Sequence, residues 1–183
     1  SQKAKQAEEV ARQAEEKLLK VEQEQFNHPE KVSWLDTILA RTLVLKAELQ
    51  HLYYQIVLDW AASVNKSEPI PNLDDKLAQW DHELNSAKAK ISEWRDIIQA
   101  EGDKLGEASL DPEDEKGSEE DFLRKSSLLQ NARTSLNEAD STISDIEMML
   151  KKIRGLAVEQ AHYVEWAFIM VWNGIVYVVS PVF

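Results

Sequence analysis

Cysteine is absent from this chain of 183 residues, and glycine and proline are scarce, with five of each. Without cysteine the chain can form no disulfide, no cysteine-ligated zinc site and no cysteine nucleophile. Scarce glycine and proline, together with abundant Ala, Leu, Glu, Lys and Gln, are typical of long helices and coiled coils rather than of sheet proteins. The composition therefore predicts an all-α fold, and the length allows one extended domain.

An excess of positive charge is also lacking. Asp and Glu number 33 against 21 Lys and Arg, which gives a net charge of -12. Such a chain repels phosphate backbones, and its basic residues are scattered instead of forming a stripe, so we expect no nucleic-acid partner. Because no basic region followed by an apolar core lies near Ser1, we expect any signal peptide to have been removed or to lie outside this sequence.

Apolar residues recur at alternating spacings of three and four, which is the pattern of helices that pack through a narrow seam. The breaks between the segments are equally clear. Pro29 disfavours helix at the residue before it, and Asp36 stands where the acid of a capping box that begins at Ser33 would stand. The predicted helices cover about residues 3–27, 34–64, 73–105 and 119–162.

The second helix has the widest apolar face, so we expect it to be the most buried. Helices three and four keep an unbroken heptad, and an antiparallel hairpin is the simplest way to cover both seams. Trp80 and Trp94 lie in the third seam, where large rings indicate packing against a further helix. The acidic stretch 106–121 is predicted to be a mobile loop. We therefore predict an elongated antiparallel helical bundle, or coiled-coil hairpin, over residues 1–162.

Two Glu-x-x-His pairs are the sharpest enzyme-like signal: Glu48 with His51, and Glu159 with His162. Ferritin-like di-iron sites use two such pairs. Both pairs stand beside the predicted seams, and the hairpin would separate them by roughly 20 residues, on the order of 30 Å along a helix. Phosphate loops, nucleophile elbows and dinucleotide fingerprints are also missing from the sequence. We predict no enzyme, with no catalytic, cofactor or metal site and no small-molecule substrate. The four residues are weak metal candidates, and a di-iron enzyme is the remote alternative.

The segment 163–183 breaks the acidic pattern, since no charge follows Glu165. Its uncharged run reaches the lower limit of a membrane-spanning helix, and its Trp and Tyr favour the boundary between water and lipid. We predict a C-terminal hydrophobic helix that spans or contacts a membrane; a buried strand and a docked core helix are the alternatives. The residues expected to contact lipid are Trp166, Phe168, Ile169, Val171, Trp172, Ile175, Val176, Tyr177, Val179 and Phe183.

Two stretches of the seam helices resemble a known family. They read "LDDKLAQWDHELNSAKAKISEWRD" and, after a loop, "SSLLQNARTSLNEADSTISDIEMMLKKI". Together with the order of helix and apolar segment, over residues 35–183, they are similar to the helical N-terminal extension of large bacterial mechanosensitive channels of the small-conductance superfamily. The resemblance implies a periplasmic helical domain on a protein of the bacterial inner membrane. The pore-lining helix and a cytoplasmic β-rich domain would then follow Phe183.

The resemblance implies that this chain is a non-catalytic domain of an ion-transport protein of the cell envelope. Its role would be spacing, oligomer contact or the coupling of membrane tension to the pore. Its partners would be membrane lipid, reached through the C-terminal segment, and further copies of the same chain in a homo-oligomer. The alternative is a soluble coiled-coil scaffold or adaptor of the spectrin type, whose C-terminal segment docks on a partner or on a membrane surface.

Overall fold

Four α-helices make up the part of the chain that the structure describes. This computed structural model describes residues 2–66, 68–108 and 119–172, and of residues 108 and 156–172 the backbone only. The predicted all-α class is confirmed, and each helix begins within one residue of its expected start. In chain order the helices are α1 (Gln2–Asn27), α2 (Trp34–Lys66), α3 (Leu73–Ala108) and α4 (Glu119–Trp172).

The carboxylate half of the predicted capping box forms at the start of α2, while the Asp36 backbone N–H bonds to the Ser33 carbonyl instead of the Ser33 hydroxyl. The Asp36 carboxylate accepts hydrogen bonds from the Ser33 backbone N–H at 2.9 Å and from the Ser33 hydroxyl at 2.7 Å. The same carboxylate accepts a bond from Arg124 Nη2 at 2.9 Å, which ties the beginning of α4 to the beginning of α2. Pro29, which disfavours helix at His28, follows the end of α1 at Asn27.

The central helix of the bundle is α2, because α1, α3 and α4 all pack against it. Ile38, Thr42 and Ile56 on this helix have no exposed surface, as its wide apolar face predicts. The main core lies between α2, α3 and α4. Trp80 and Trp94 are buried in it with 4% and 9% of their surface exposed. The expectation that these two rings pack against a further helix is thus confirmed, since the Trp94 ring lies 6.4 Å from that of Trp34 on α2.

Ion pairs mark the antiparallel register of α3 and α4. The pairs are Asp81–Arg154, Lys88–Glu147 and Arg95–Asp140. Successive pairs are one heptad apart on both helices, each beside the seam, as expected for charges that flank a coiled-coil interface. A slip of one heptad would set Asp81 opposite Glu147 and Arg95 opposite Arg133. Because like charges opposite each other repel, these pairs, called here the ion-pair ladder, favour the observed register.

Within the described residues, no helix has an apolar stretch long enough to cross a membrane. The candidate membrane segment 163–183 lies outside them, apart from the backbone of its first part, where α4 continues to Trp172. The ten residues that were expected to contact lipid therefore have no described side chains. Most of the acidic stretch 106–121, predicted to be a mobile loop, also lies outside, since residues 109–118 are not described.

Candidate functional site: a groove between three helices

Small side chains hold α1 on the bundle. Ala4, Ala7 and Ala11 are buried against α2, and among the described residues α1 packs against no other helix. Alanine removes far less apolar surface from water than leucine or isoleucine does. The attachment of α1 therefore has a smaller hydrophobic contribution than the packing of α3 or α4.

The C-terminal end of α1 has additional polar contacts to α2. Glu22 accepts a hydrogen bond of 2.7 Å from Arg41 Nη2, and Gln25 accepts one of 2.7 Å from the Thr37 hydroxyl. The Arg41 guanidinium also lies 5.7 Å from the Trp34 ring and 5.5 Å from the Trp94 ring, within the range of cation–π contact. This end of α1 is thus linked through Arg41 to both α2 and α3.

Nearer the N-terminal end of α1, a groove of about 540 Å³ opens between α1, α2 and α3. Its walls include apolar seam residues, but its mouth is charged. The titratable groups that line it are Glu15 from α1, Glu48 and His51 from α2, and His82, Glu83 and Lys90 from α3. Three helices therefore bring three carboxylates, two imidazoles and one ammonium group to one level of the bundle.

Glu48 is the group that this environment perturbs. Its side chain is half-buried and has no ion-pair or hydrogen-bond partner among the described residues. Burial raises the pKa of the Glu48 carboxyl; Lys90 opposes this, while the negative charges of Glu15 and Glu83 raise the pKa further. The environment of the Glu48 carboxyl thus disfavours its charged form.

His51, one helical turn further along α2, is also half-buried. Its Nε2 lies 2.7 Å from Gln55 Nε2, and the other ring nitrogen is Nδ1. That Nδ1 is buried and has no partner among the described residues. A buried polar atom without a hydrogen-bond partner costs free energy. His51 is therefore a second polar group of the groove, after Glu48, whose hydrogen bonding is incomplete.

The positions of Glu48 and His51 beside the predicted seam favour exposed side chains, and the structure differs. Both are half-buried because α1 and α3 lie on the two sides of this face of α2. His82 is exposed and also lines the groove. No spacing within a single helix predicts this burial, because it depends on the antiparallel pairing of α1 with α2. In that pairing the Glu22–Arg41 and Gln25–Thr37 contacts set Glu15 level with Glu48.

Among the described side chains, no second Glu-x-x-His pair lies beside Glu48 and His51. Lys46 on α2 pairs with Glu138 on α4, so the two helices run parallel with that offset. His51 is then level with about residue 143, and His162 lies roughly 20 residues beyond it, on the order of 30 Å. The side chains of Glu159 and His162 are not among those described. Within the side chains that are described, no three His, Asp or Glu residues are placed to hold a metal ion.

Comparison with protein-family models, with curated proteins and with solved structures finds no match for this chain. Its function is therefore inferred from its own geometry. The groove contains ionisable side chains. The ion-pair ladder and the apolar core stabilise the α3–α4 hairpin.

Proposed function

We propose that this chain is a non-catalytic helical domain of a membrane protein, and that the protein is a mechanosensitive ion channel of the small-conductance superfamily. The domain would be the periplasmic extension of a channel in the bacterial inner membrane. It would hold a fixed spacing and transmit force between the membrane and the parts of the assembly outside it. Lipid would be its partner at the C-terminal segment, and further copies would assemble with it.

The observation that supports this proposal is the continuity of α4. The helix extends from Glu119 to Trp172, 54 residues, or about 80 Å at 1.5 Å per residue. Its first part belongs to the core of the bundle, and its last part enters the uncharged segment that begins at Trp166. Because a continuous helix is stiff and no loop intervenes, a displacement of the uncharged segment would move the hairpin with it.

The way α4 is held in the bundle supports the same role. Ile146 is fully buried and Leu150 has 1% of its surface exposed, so the helix is anchored by large apolar side chains. The ion-pair ladder continues to Arg154, close to the point where the apolar segment begins. Force applied to the far end of α4 would therefore load the whole hairpin instead of pulling α4 out of it.

Charged substitutions in the apolar segment test the membrane contact. The full chain is added to liposomes and separated by flotation, and it is compared with the double variant Val171→Asp/Val176→Asp. An aspartate at the centre of a membrane helix costs about 2.5–3.5 kcal/mol. We expect the unaltered chain to float with the vesicles and the double variant to remain largely in the soluble fraction.

A matched control carries the same two charges elsewhere on α4. Leu123 and Met148 are 59% and 54% exposed, so Leu123→Asp/Met148→Asp should float as the unaltered chain does. Circular dichroism verifies that all three proteins keep their helix content. If the unaltered chain remains in the soluble fraction and does not bind the vesicles, the proposed membrane role is wrong, and a soluble scaffold becomes the better description.

A further inference from the structure

We propose that α1 is a pH-controlled cover on the bundle, closed on α2 in acid and opening as the pH rises, with the proton taken up and released by Glu48. This inference is independent of the membrane role, because it concerns only the groove between α1, α2 and α3. It would give the domain two shapes, one with the face of α2 covered and one with that face open to solvent or to a partner.

The helix that can move is α1. It packs against α2 alone among the described residues, through buried alanines, and it is joined to α2 by the short turn at Pro29. The Glu22–Arg41 pair lies next to that turn, so it can persist while the far end of α1 lifts. By contrast, α3 and α4 contribute large buried side chains such as Ile98 and Ile146 to the shared core. Opening of α1 therefore leaves the main core intact.

The groove supplies the charge that drives this movement. From α1 it is faced by Glu15, from α2 by His51, and from α3 by His82, Glu83 and Lys90; no residue of α4 lines it among those described. With Glu48 ionised, three carboxylates are balanced by a single ammonium group. Closure then keeps the negative charges of Glu15 and Glu83 near the partly desolvated Glu48 carboxylate, which is unfavourable. Protonation of Glu48 removes the central charge of the three.

The direction of the pH effect follows from linkage. Burial under the closed helix raises the pKa of Glu48, and opening would hydrate the carboxylate and return its pKa toward the ordinary range. The closed state therefore binds the proton more tightly. Its advantage is fully present below the ordinary glutamate pKa of about 4.3 and is lost as the pH rises through the raised pKa. Each unit of difference changes the ratio of closed to open molecules about tenfold.

Distances between spin labels test this cover. The chain has no cysteine, so Gln6→Cys on α1 and Asn85→Cys on α3 place two labels without competing sites. Both positions are exposed. Double electron–electron resonance spectroscopy of the full chain in detergent then gives the distribution of distances between the two labels at pH 5 and pH 8. We expect a predominantly short distance at pH 5 and a larger long-distance population at pH 8. For each unit by which closure raises the pKa of Glu48, the ratio of molecules at the short distance to molecules at the long distance should fall about tenfold.

Variants assign the effect to its residue. Glu48→Gln removes the titrating group with little change in shape and should keep the short distance at both pH values. Glu93→Gln, the same change at an exposed site on α3, should leave the response unchanged. Labels at Asn85→Cys and Asn131→Cys, both within the hairpin, should report one distance throughout and so verify the fold.

Two results would overturn the proposal. The first is an identical distance distribution for the full chain at pH 5 and pH 8. The second is a pH response that survives in Glu48→Gln; loss of that response in His51→Gln or His82→Gln would then show that the imidazoles are the controlling groups.

Discussion

The α3–α4 hairpin and the α1–α2 interface share one sequence pattern, apolar residues at spacings of three and four, yet they are held together differently. In the hairpin most of the buried seam residues are large, with a few alanines among them, and Ile98 and Ile146 have 1% and 0% of their surface exposed. In the α1 interface the buried residues are alanines, and a groove of about 540 Å³ lies beside them. The hairpin is held mainly by large apolar side chains, whereas the α1 interface is held by small ones and has unbalanced charge beside it.

This difference shows that the spacing of apolar residues determines which helices pair, while their size determines how firmly they pair. Heptads predict a seam in both places, but only bulky side chains fill it to the density of a protein core. The hairpin can therefore transmit force, and α1 can act as a movable cover. Four experiments on matched pairs of residues compare the two interfaces or probe the hairpin in more detail.

The largest difference is expected when a large side chain is shortened in each interface. Ile146→Ala leaves a cavity in the main core and should lower the free energy of unfolding by about 2–5 kcal/mol. Leu18→Ala, at a half-buried position of the α1 seam, should cost less than about 1 kcal/mol. Urea unfolding followed by circular dichroism measures both. Equal losses would mean that the two interfaces are equally firm.

Enlarging an alanine should have opposite consequences in the two places. Ala139 on α4 has 0% exposed surface, so Ala139→Leu overpacks the core and should cost about 1–3 kcal/mol. Ala11 lines the groove, where a leucine has space, so Ala11→Leu should be neutral or slightly stabilising. The same unfolding experiment measures both variants. A large loss of stability for Ala11→Leu would show that the groove cannot accept a larger side chain.

Two glycines compare a crowded and an open position at the sides of the hairpin. A Cβ on Gly155 would meet none of the described atoms within 4 Å, so Gly155→Ala should gain about 0.8–1.0 kcal/mol from helix propensity alone. A Cβ on Gly102 would lie 2.9 Å from Arg133 Nη2, and the guanidinium must move to admit it. Thermal unfolding should therefore show a smaller gain for Gly102→Ala, and the reverse order would contradict the close approach of Arg133.

The smallest effect is expected in the ion-pair ladder. Arg95 and Asp140 lie 3.0 Å apart with side chains about half exposed, 47% and 50%. Solvent screens such a pair, so a double-mutant cycle with Arg95→Ala and Asp140→Ala should give a coupling of about 0.5 kcal/mol. The exchanged variant Arg95→Asp/Asp140→Arg should recover most of the stability that Arg95→Asp loses. No recovery would indicate that the pair does not help to set the register.

Much of this fold follows directly from the sequence. Pro29 and the Ser33–Asp36 capping box determine where α1 ends and α2 begins, because both act locally on the backbone. The heptads of α3 and α4 predict an antiparallel hairpin, since neither seam can be covered by its own helix. The packing of Trp94 against a further helix also follows, because a large ring in a two-helix seam indicates a third helix, although the sequence does not identify Trp34 as its neighbour.

The candidate site was much harder to predict. Glu48 lies outside its own seam, and along one helix such a residue faces solvent. Its partial burial depends on α1 lying across that face of α2, a tertiary arrangement that a weak alanine seam does not specify on its own. The meeting of Glu15, Glu48 and Glu83 needs the registers of two helix pairs at once. Sequence spacing within one helix contains no such information.

The central claim, a firm hairpin with a movable cover, is tested most directly by native-state hydrogen exchange of the full chain. Amides are followed in α1 and around Ile98 and Ile146 at several low urea concentrations. We expect the hairpin amides to exchange only through global unfolding, with a strong dependence on urea, and the N-terminal amides of α1 to exchange through a local opening of lower free energy. If α1 and the hairpin exchange with one common free energy and one urea dependence, the bundle is a single cooperative unit and the claim is wrong.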